Sequence, residues 1–514
     1  MGESVAVRDL SSLTSWHSDW KTLRVAVFGL GVTGFAVADT LMDVGADVLV
    51  VSSSASSERA DLLSVIGARL VLSADSELPD DLEAFDPELV IVSPGFRPDS
   101  PLVVWAQARG IAIWGDIELA WRLRDKVGTP AEWLVVTGTN GKTTTVQLAT
   151  HLLVSAGHRA VAVGNIGVPV VDAVRDPTGF DTLVVELSSF QLHWLKRAGA
   201  GALVPFASVC LNLADDHLDW HGSRDAYASA KATVYANTKV ACLYNRADDA
   251  TMHMVEDAEV ELDCRAIGVG LGAPGPSDFG LVGDILVDRA FHDDRRTSAL
   301  ELTTIEELSA VGLDAPHMVV NVLMAAALAR SRGVSPDSIR SALTTFVIDH
   351  HRSQVIARAE GVMWVNDSKA TNPHAADASL SSFASVVWIA GGMLKGVDVS
   401  ALVSSHAHRL RAAILIGTNR DELRGAFARH APEVPLFDVA TAETENVMRE
   451  AVILAASVAG AGDVVLLAPA AASMDQFTDY ADRGSRFAKA VGDYLGGLAD
   501  GESPNPSGHT GSTA

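Results

Sequence analysis

Short apolar runs alternate with longer segments of helical periodicity along most of this chain. Glycine or polar residues bound each run, a pattern typical of buried strands in parallel α/β sheets. The predicted strands are 24–28, 47–51 and 89–92 in a first block, 133–137, 182–185 and 207–213 in a second, and 363–365, 386–390, 413–416 and 464–467 in a third. The pattern therefore predicts an α/β protein with three domains.

Polar and glycine-rich stretches separate these blocks. The polar run from Arg122 to Pro130 indicates a linker, and segment 268–283, rich in glycine and proline, predicts an irregular hairpin or loop. A helix over 316–332 closes the middle block. We therefore expect domains at 22–121, 122–348 and 349–498, followed by a disordered tail over 499–514.

The charge balance excludes one class of partner. The 514 residues include 64 acidic and 39 basic side chains, a formal net charge of −25. Such a surface repels phosphate backbones, so we expect no nucleic-acid partner. Cys210, Cys242 and Cys264 are too dispersed for a zinc knuckle and predict buried, reduced thiols. Because neither a signal peptide nor an apolar run of membrane length is evident, we expect a cytoplasmic protein without a membrane partner.

A first glycine-rich loop, Gly29–Gly34, follows a predicted strand and precedes a predicted helix. Its G-x-G-x-x-G spacing lets backbone amides approach a diphosphate at a helix N-terminus. The second strand ends in Ser52-Ser53-Ser54, where an NAD enzyme would place an acid, so NAD is disfavoured. The serines and Arg59 would suit a 2′-phosphate, which leaves an NADP-dependent oxidoreductase as one alternative. The other alternative is a strand–helix turn that binds no ligand.

The second glycine-rich loop carries the stronger signal. Thr137–Thr144 reads T-G-T-N-G-K-T-T and lies between an apolar strand and a helix, the context that a phosphate-binding loop requires. Backbone amides of the loop would surround the phosphates, Lys142 would neutralise the β and γ oxygens, and the Thr143 hydroxyl would hold Mg²⁺. Val136 stands where the strict motif has its first glycine, so the loop is a shorter variant.

Acidic residues follow the next two predicted strands. Glu186 ends one of them, at a position where nucleotide-binding sheets often hold magnesium or its water. The segment Asp215–His221 contains three acids and two histidines, which fits either a solvated turn or a metal or substrate site. Lys231 lies on a predicted helix, where a lysine by itself indicates only a surface charge.

Together these segments resemble the Mur ligase family, ATP-dependent amide-forming enzymes of peptidoglycan precursor synthesis. The resemblance spans residues 24–495 and includes Thr137–Thr144, Glu186–Leu192 and Asn212–His217 in the family's order. It implies a Rossmann-like N-terminal domain, a central P-loop ATP-binding α/β domain and a C-terminal Rossmann-like α/β domain. It also implies that Lys231 is carbamylated, which would turn a cation into a carboxylate-like metal ligand.

The resemblance implies two magnesium ions, and it assigns catalysis to Lys142, Glu186, His217 and Lys231. The implied metal ligands are Thr143, Glu186, His217 and Lys231. The implied ATP-binding residues are Gly138, Thr139, Asn140, Gly141, Lys142, Thr143, Thr144, Asn321, Arg352, Asp367 and Lys369. His317 and Asn321 resemble the family's H-N-x-x-N segment, in which Met318 here replaces the first asparagine.

Three segments of the last block are similar to the branch of the family that adds D-glutamate. They are Asp367–Asn372 (D-S-K-A-T-N), Gly391–Gly396 (G-G-M-L-K-G) and Leu467–Phe477. By this resemblance Thr371, Lys395, Ser473 and Tyr480 would contact D-glutamate. The nucleotide-sugar substrate would contact Gly31, Val32, Thr33, Gly95, Asn165, Ser188 and His217.

The resemblance implies that ATP activates the L-alanine carboxylate of UDP-N-acetylmuramoyl-L-alanine as an acyl phosphate, which D-glutamate then attacks. We expect a monomer whose partners are these two substrates and ATP. Three rival hypotheses remain: a ligase of the same family that adds another amino acid, the oxidoreductase, and a nucleotide-binding regulator without catalysis.

Overall fold

The computed structural model describes residues 8–74, 77–347, 354–441 and 443–499, and these residues form two compact units. The first unit comprises the chain up to Leu213 together with Arg224–Phe346. The second comprises Ala214–Ser223 and the described residues from 347 onward. The predicted Arg352 and the tail from residue 500 lie outside the described residues.

A five-stranded parallel sheet opens the first unit, in the order β3-β2-β1-β4-β5. Its strands are β1 (Arg24–Phe28), β2 (Asp47–Ser52), β3 (Arg69–Leu72), β4 (Leu89–Val92) and β5 (Ala112–Gly115). Its helices are α1 (Val32–Asp43), α2 (Ser57–Ile66), α3 (Asp80–Phe85), α4 (Pro101–Ala108) and α5 (Asp116–Leu123). The strand order reverses between β1 and β4, which is where open α/β sheets bind ligands.

The second sheet of this unit has nine strands, in the order β14-β13-β12-β11-β10-β9-β6-β8-β7. They are β6 (Glu132–Thr137), β7 (Ala160–Gly164), β8 (Thr182–Glu186), β9 (Ala207–Cys210), β10 (Ala241–Asn245), β11 (Arg265–Val269), β12 (Asp278–Val282), β13 (Ile285–Asp288) and β14 (Leu300–Thr304). The pairs β12–β13 and β13–β14 are antiparallel, and the other described pairs of this sheet are parallel. Strand β6 lies between β8 and β9.

Nine helices accompany this part of the chain, of which α9 belongs to the segment grouped with the second unit. They are α6 (Lys142–Ser155), α7 (Val170–Val174), α8 (Ser189–His193), α9 (Leu218–His221), α10 (Arg224–Ala232), α11 (Asp249–Glu256), α12 (Ile305–Ala310), α13 (Pro316–Ser331) and α14 (Pro336–Leu343). Helix α13 packs along α6 and so lies behind the loop that precedes α6.

The second unit contains a six-stranded sheet in the order β15-β16-β20-β17-β18-β19, parallel except for β15. Its strands are β15 (Gln354–Ala359), β16 (Val362–Asn366), β17 (Val386–Gly391), β18 (Leu410–Ile416), β19 (Leu436–Asp438) and β20 (Val464–Leu467). Its helices are α15 (Pro373–Ser381), α16 (Ser400–His406), α17 (Asp421–His430), α18 (Thr444–Val458) and α19 (Tyr480–Ala499). Short 3-10 helices cover Leu10–Ser12, Thr233–Tyr235 and Ala407–Arg409.

The apolar runs of the sequence become strands buried on both faces. One apolar core joins the first two sheets, and two further clusters cover the faces of the third sheet. Within the described ranges, no helix has both the length and the apolarity needed to cross a membrane.

Some predicted boundaries differ from the structure. The predicted strand 207–213 ends at Cys210, because the backbone amide of Leu213 donates to the Asp248 carboxylate (2.7 Å) instead of continuing the sheet. Segment 268–283 is partly regular, since β12 forms a hairpin with β13. Cys264 is only half-buried, whereas Cys210 and Cys242 are buried as predicted.

The linker prediction is wrong at Arg122, which lies inside α5 and is fully buried. Its guanidinium donates to the buried Glu118 carboxylate (2.8 Å) and to the carbonyls of Leu13 and Ala200 (both 2.7 Å), and it stacks on Trp114. These acceptors come from three separate parts of the first unit. Arg122 therefore joins its first two sheets rather than separating them.

Replacing Arg122 by methionine should destabilise the protein by about 3–5 kcal/mol, because Glu118 would be left buried without its principal partner. The matched control is Arg69→Met, since Arg69 also pairs with a carboxylate (Asp47, 2.9 Å) and stacks on a ring (Phe85) but is exposed. That change should cost at most about 1 kcal/mol. Urea unfolding measures both, and equal losses would contradict a structural role for Arg122.

Candidate functional site

The loop between β6 and α6 has a backbone conformation that favours glycine at two positions. Gly138 has φ +145° and Gly141 has φ +83°. A Cβ atom on Gly138 would lie 2.9 Å from Cβ of Leu211, and one on Gly141 would lie 2.5 Å from Oδ1 of Asn321. Helix α6 begins at Lys142, directly after the loop, so its N-terminal amides face the space that the loop encloses.

Side chains from two other elements hold this loop in place. The Asn140 amide donates to Oδ1 of Asn212 (2.8 Å), and Nδ2 of Asn212 donates back to the Asn140 carbonyl (3.1 Å). The hydroxyl groups of Thr139 and the buried Tyr227 form a hydrogen bond of 3.0 Å. The loop is therefore fixed before any ligand arrives.

Two lysine side chains meet at one carbonyl of the loop. Lys142 Nζ donates to the carbonyls of Gly138 (2.8 Å) and Thr139 (2.9 Å). Lys231 Nζ donates to the same Gly138 carbonyl (2.8 Å) and lies 3.4 Å from Oγ1 of Thr137. Lys231 is only 1% exposed, so the surface position that composition alone suggests is wrong. Two positive charges thus lie at the base of the loop.

Glu186 lies on β8 opposite Val136, the residue that precedes Thr137 at the end of β6. Its Oε1 accepts a hydrogen bond from Nδ2 of Asn165 (3.0 Å), whereas the buried Oε2 has no partner among the described residues. The buried hydroxyls of Thr144 and Thr145 also have no hydrogen-bond partner among the described residues. A buried carboxylate oxygen without a donor suits a cation, so this part of the site fits Mg²⁺.

The implied metal ligands do not form a complete coordination site among the described residues. No group of three His, Cys, Asp or Glu residues within the described part of the chain is arranged to hold a metal. Lys231 is a cation unless carbamylated, and Thr143 is buried at the start of α6. Without carbamylation of Lys231, Glu186 and Thr143 are the candidates among the implied ligands that lie in the first unit.

His217 belongs to the segment grouped with the second unit, where it precedes α9 in the left-handed conformation (φ +53°). Its amide donates to Oδ1 of the buried Asp216 (3.0 Å), and its Nε2 lies 3.6 Å from Oδ2 of the same carboxylate. Lys395 Nζ lies 3.7 Å from Asp216 Oδ1. Asp216 therefore connects two residues that the sequence assigned to different substrates.

The first sheet forms a second candidate site where its strand order reverses. Gly31 precedes α1 and Val32 and Thr33 begin it, and a Cβ atom on Gly31 would meet nothing within 4 Å. Gly95 follows β4 and leaves similar space. The buried hydroxyl of Ser93 would lie 2.7 Å from a Cβ atom on Gly29. The arrangement suits a diphosphate at the N-terminus of α1.

Asn165 directly follows the neighbouring strand β7, and Ser188 lies two residues after Glu186, at the start of α8. Ser188 caps α8, with its Oγ accepting from the Gln191 amide (3.1 Å) while the Gln191 side chain accepts from the Ser188 amide (3.1 Å). Gln191 Nε2 donates to the buried Asp116 (3.0 Å), and burial raises the pKa of Asp116 to about 6. The polar side chains at this end of β8 are thus oriented by one another.

Three of the four implied D-glutamate residues lie on loops after three adjacent parallel strands, β16, β20 and β17. Thr371 follows β16, Ser473 follows β20 and is buried, and Lys395 follows β17. Lys369, which the sequence assigned to ATP, lies with Nζ 3.8 Å from the ring centroid of Tyr480, the first residue of α19. Asp367, also assigned to ATP, accepts a hydrogen bond from Ser379.

Sequence reasoning missed three supporting residues: Tyr227, Asp116 and Arg483. Tyr227 lies one helical turn before Lys231, so the two residues share a face of α10 that proves to be buried. Asp116 and Arg483 carry no local signal, since their partners are distant in sequence. Only the fold brings these groups to the candidate site.

Three family profiles match successive parts of the chain. They are described as the MurD-like N-terminal domain of Mur ligases (residues 23–115), the Mur ligase middle domain (136–329) and the glutamate ligase domain of Mur ligases (351–471).

Curated relatives match almost the whole length. UDP-N-acetylmuramoylalanine–D-glutamate ligase from Leifsonia xyli subsp. xyli is 62% identical over 498 residues, 96% of each chain. The protein of the same name from Streptomyces coelicolor is 49% identical over 479 residues, covering 92% of this chain and 98% of its own.

Solved structures share the fold at low identity. The UDP-N-acetylmuramate–alanine ligase of Thermotoga maritima has a TM-score of 0.54 and 18% identity, covering 92% of this chain and 99% of its own. The MurF ligase of Thermotoga maritima in complex with ADP has a TM-score of 0.52 and 16% identity, covering 95% and 100%. With the three sheets described above, these likenesses confirm the predicted α/β fold of three domains.

Replacing Gly141 by alanine should weaken ATP binding at least about tenfold, or about 1.4 kcal/mol, because the new methyl group would collide with Asn321. The matched control is Gly157→Ala, whose φ is +90° but whose Cβ would meet nothing within 4 Å. The control shares the backbone strain and should lower stability by about 1 kcal/mol without changing ATP affinity. Titration with a fluorescent ATP analogue measures both, and equal affinities would contradict this account of the loop.

Proposed function

The chain belongs to the Mur ligase family, and from this premise we propose that it joins D-glutamate to the L-alanine carboxylate of UDP-N-acetylmuramoyl-L-alanine at the expense of ATP. The observation that carries the proposal is the 62% identity, over 96% of both chains, to a relative named for this reaction. As a Mur ligase the protein is an ATP-dependent, amide-forming enzyme of peptidoglycan synthesis, so the oxidoreductase and regulator hypotheses are not retained.

The reaction requires activation of a carboxylate in water. The L-alanine carboxylate attacks the γ-phosphate of ATP, and ADP leaves with the electrons of the broken bond. The neutral amine of D-glutamate then attacks the acyl phosphate, and phosphate leaves through a tetrahedral intermediate. Negative groups meet in this site, so positive charge and amide donors dominate catalysis.

We assign ATP to the loop Gly138–Thr144 and to Asn321, Asp367 and Lys369, with Arg352 outside the described residues. Lys142 is the residue that contacts the β and γ oxygens. Its ammonium donates to two loop carbonyls, so it must exchange these bonds for bonds to the phosphates. The exchange keeps the charge inside the loop and lowers the cost of bringing the anion there.

Mg²⁺ would be held by Thr143, Glu186 and His217, and by Lys231 after carbamylation, in two sites. When bound, it would supply positive charge to the phosphate oxygens on which negative charge develops. The buried Oε2 of Glu186, which has no partner among the described residues, supports this assignment. His217 is equally suited to remove a proton from the amine of D-glutamate, since an imidazole accepts protons near neutral pH.

We place the nucleotide sugar on Gly31, Val32, Thr33 and Gly95, with Asn165, Ser188 and His217 toward its muramoyl-alanine end. D-glutamate is placed on Thr371, Lys395, Ser473 and Tyr480. We assign these groups to the proposed domains 22–121, 122–348 and 349–498, although α5 continues across the first of these boundaries to Leu123. A monomer suffices, because one chain supplies every assigned group, and the use of ATP favours the cytoplasm.

Phosphate release from ATP in the presence of UDP-N-acetylmuramoyl-L-alanine should be stimulated by D-glutamate, and not by L-glutamate, L-alanine or buffer. Lys142→Ala should raise the barrier by about 3–4 kcal/mol, since it removes a charge from the transferring phosphate. Stimulation by a different amino acid would overturn the D-glutamate assignment, and no release under any condition would overturn the ligase assignment.

Lys231 should be carbamylated in the active protein. In that reaction the Lys231 ammonium first loses one proton to give the amine, Nζ then forms a bond to the carbon of CO₂ as a C–O π bond becomes the carboxylate, and Nζ loses a second proton. The remaining single N–H can keep at most one of the two hydrogen-bond contacts to Gly138 and Thr137. Lys231→Ala should lose activity and regain part of it with acetate. The wild type grown with ¹³C-labelled bicarbonate should show a carbamate resonance that this variant lacks.

Lys239→Ala is the control for this experiment, because Lys239 is an exposed lysine paired with Glu132 (3.2 Å). It should keep both the activity and the resonance. Full activity of Lys231→Ala without acetate, together with an unchanged spectrum, would return Lys231 to a structural role.

A further inference from the structure

Arg483 is a fully buried cation in the second unit, at 0% exposure, on the first turn of α19. Its Nε donates to Oγ of Ser368 (3.0 Å), its Nη2 to the Ser368 carbonyl (2.8 Å), and its Nη1 to the Ala471 carbonyl (3.1 Å). Each bond ends on a neutral oxygen. Burying a guanidinium in this way is costly, so a stability role alone is a weak explanation.

The acceptors of Arg483 belong to two loops to which D-glutamate is assigned. Ser368 lies in loop 367–372 after β16, and Ala471 lies in loop 468–477 after β20. The Ser368 hydroxyl also donates to the carbonyl of Tyr480 (2.7 Å), so its direction is fixed by a donor on one side and an acceptor on the other. Arg483 and Ser368 thus link the loops that carry Thr371 and Ser473 to the start of α19, which carries Tyr480.

The loop that carries Lys395, after β17, contacts the loop that contains Ala471. Met393 lies two residues before Lys395, and Ala472 directly follows Ala471. These two residues exchange two backbone hydrogen bonds (2.9 and 3.0 Å). A Cβ atom on Gly392 would lie 2.2 Å from the Ala472 carbonyl, so the two loops are in direct backbone contact. A shift of Ala471 would therefore move the loop that carries Lys395.

Asp367, in contrast, has supports of its own. Its amide donates to the Leu467 carbonyl (2.8 Å), and its carboxylate accepts from Ser379. The start of loop 367–372 is therefore anchored to β20 and α15 without Arg483. Burial lowers the pKa of the Arg483 guanidinium to about 9, so the group remains cationic at neutral pH.

We propose that Arg483 is a positioning residue of the amino-acid pocket, which holds loops 367–372 and 468–477 at the spacing that D-glutamate requires without touching the substrate. This proposal rests on the proposed function, because it takes the residues of these loops as the D-glutamate site. A planar guanidinium donates in several fixed directions at once, which the point charge of a lysine does not reproduce.

Arg483→Lys should raise the KM for D-glutamate at least about tenfold, since it loses directed bonds from a charged donor. The first half-reaction should change less than about threefold, because Asp367 keeps its anchors. Hydroxylamine trapping of the acyl phosphate measures that step without D-glutamate. In Arg483→Ala, added methylguanidine should lower the raised KM for D-glutamate.

Arg409→Lys is the matched control in the same unit. Arg409 also donates to two carbonyls, of Leu380 (3.0 Å) and Phe383 (2.8 Å), but these lie outside the three loops. It should lower stability and leave the KM for D-glutamate unchanged. Ser368→Ala, which leaves Arg483 two carbonyl acceptors, should raise that KM about threefold.

An unchanged KM for D-glutamate in folded Arg483→Lys would overturn the proposal. If Arg483→Lys does not fold, an unchanged KM in Ser368→Ala would overturn it instead. An equal rise of the KM in Arg409→Lys would also overturn it. A wild type that does not respond to D-glutamate would instead overturn the proposed function, and the two failures are therefore distinguishable.

Discussion

The hydrogen bonds from two lysines to the carbonyl of Gly138 are the interaction on which the central site depends. A loop that binds phosphates turns its amides inward, and some of its carbonyls are then left facing the base of the loop. Lys142 and Lys231 satisfy the Gly138 carbonyl, both at 2.8 Å, and Lys142 keeps its positive charge at the loop when Lys231 is carbamylated. In a chain with net charge −25, such a local cation favours the binding of an anion.

Parallel sheets explain why so many assigned groups lie at strand ends. In a parallel sheet every carboxyl end lies on the same edge, so loops distant in sequence become neighbours there. Loops after β16 and β20 are about a hundred residues apart in sequence, yet their strands are paired. The same geometry places Glu186 beside the loop after β6.

Apolar runs predict ten of the twenty described strands, because a buried parallel strand needs a continuous apolar segment whatever its partners are. The sequence also indicates the ATP loop, because its glycines and lysine are contiguous. Arg122 is misassigned to a linker because its acceptors, Leu13 and Ala200, are remote in sequence. For the same reason the burial of Lys231 and the role of Arg483 are invisible before folding.

Lys231 and Arg483 are both buried, and both donate hydrogen bonds to loop carbonyls or hydroxyls. The two residues differ in charge. Carbamylation of Lys231, as proposed, removes its positive charge and leaves it a single N–H for the loop. Arg483 keeps its charge, and its three bonds to neutral oxygens fix the geometry of two loops. The cost of desolvating this guanidinium has been met during folding rather than on binding.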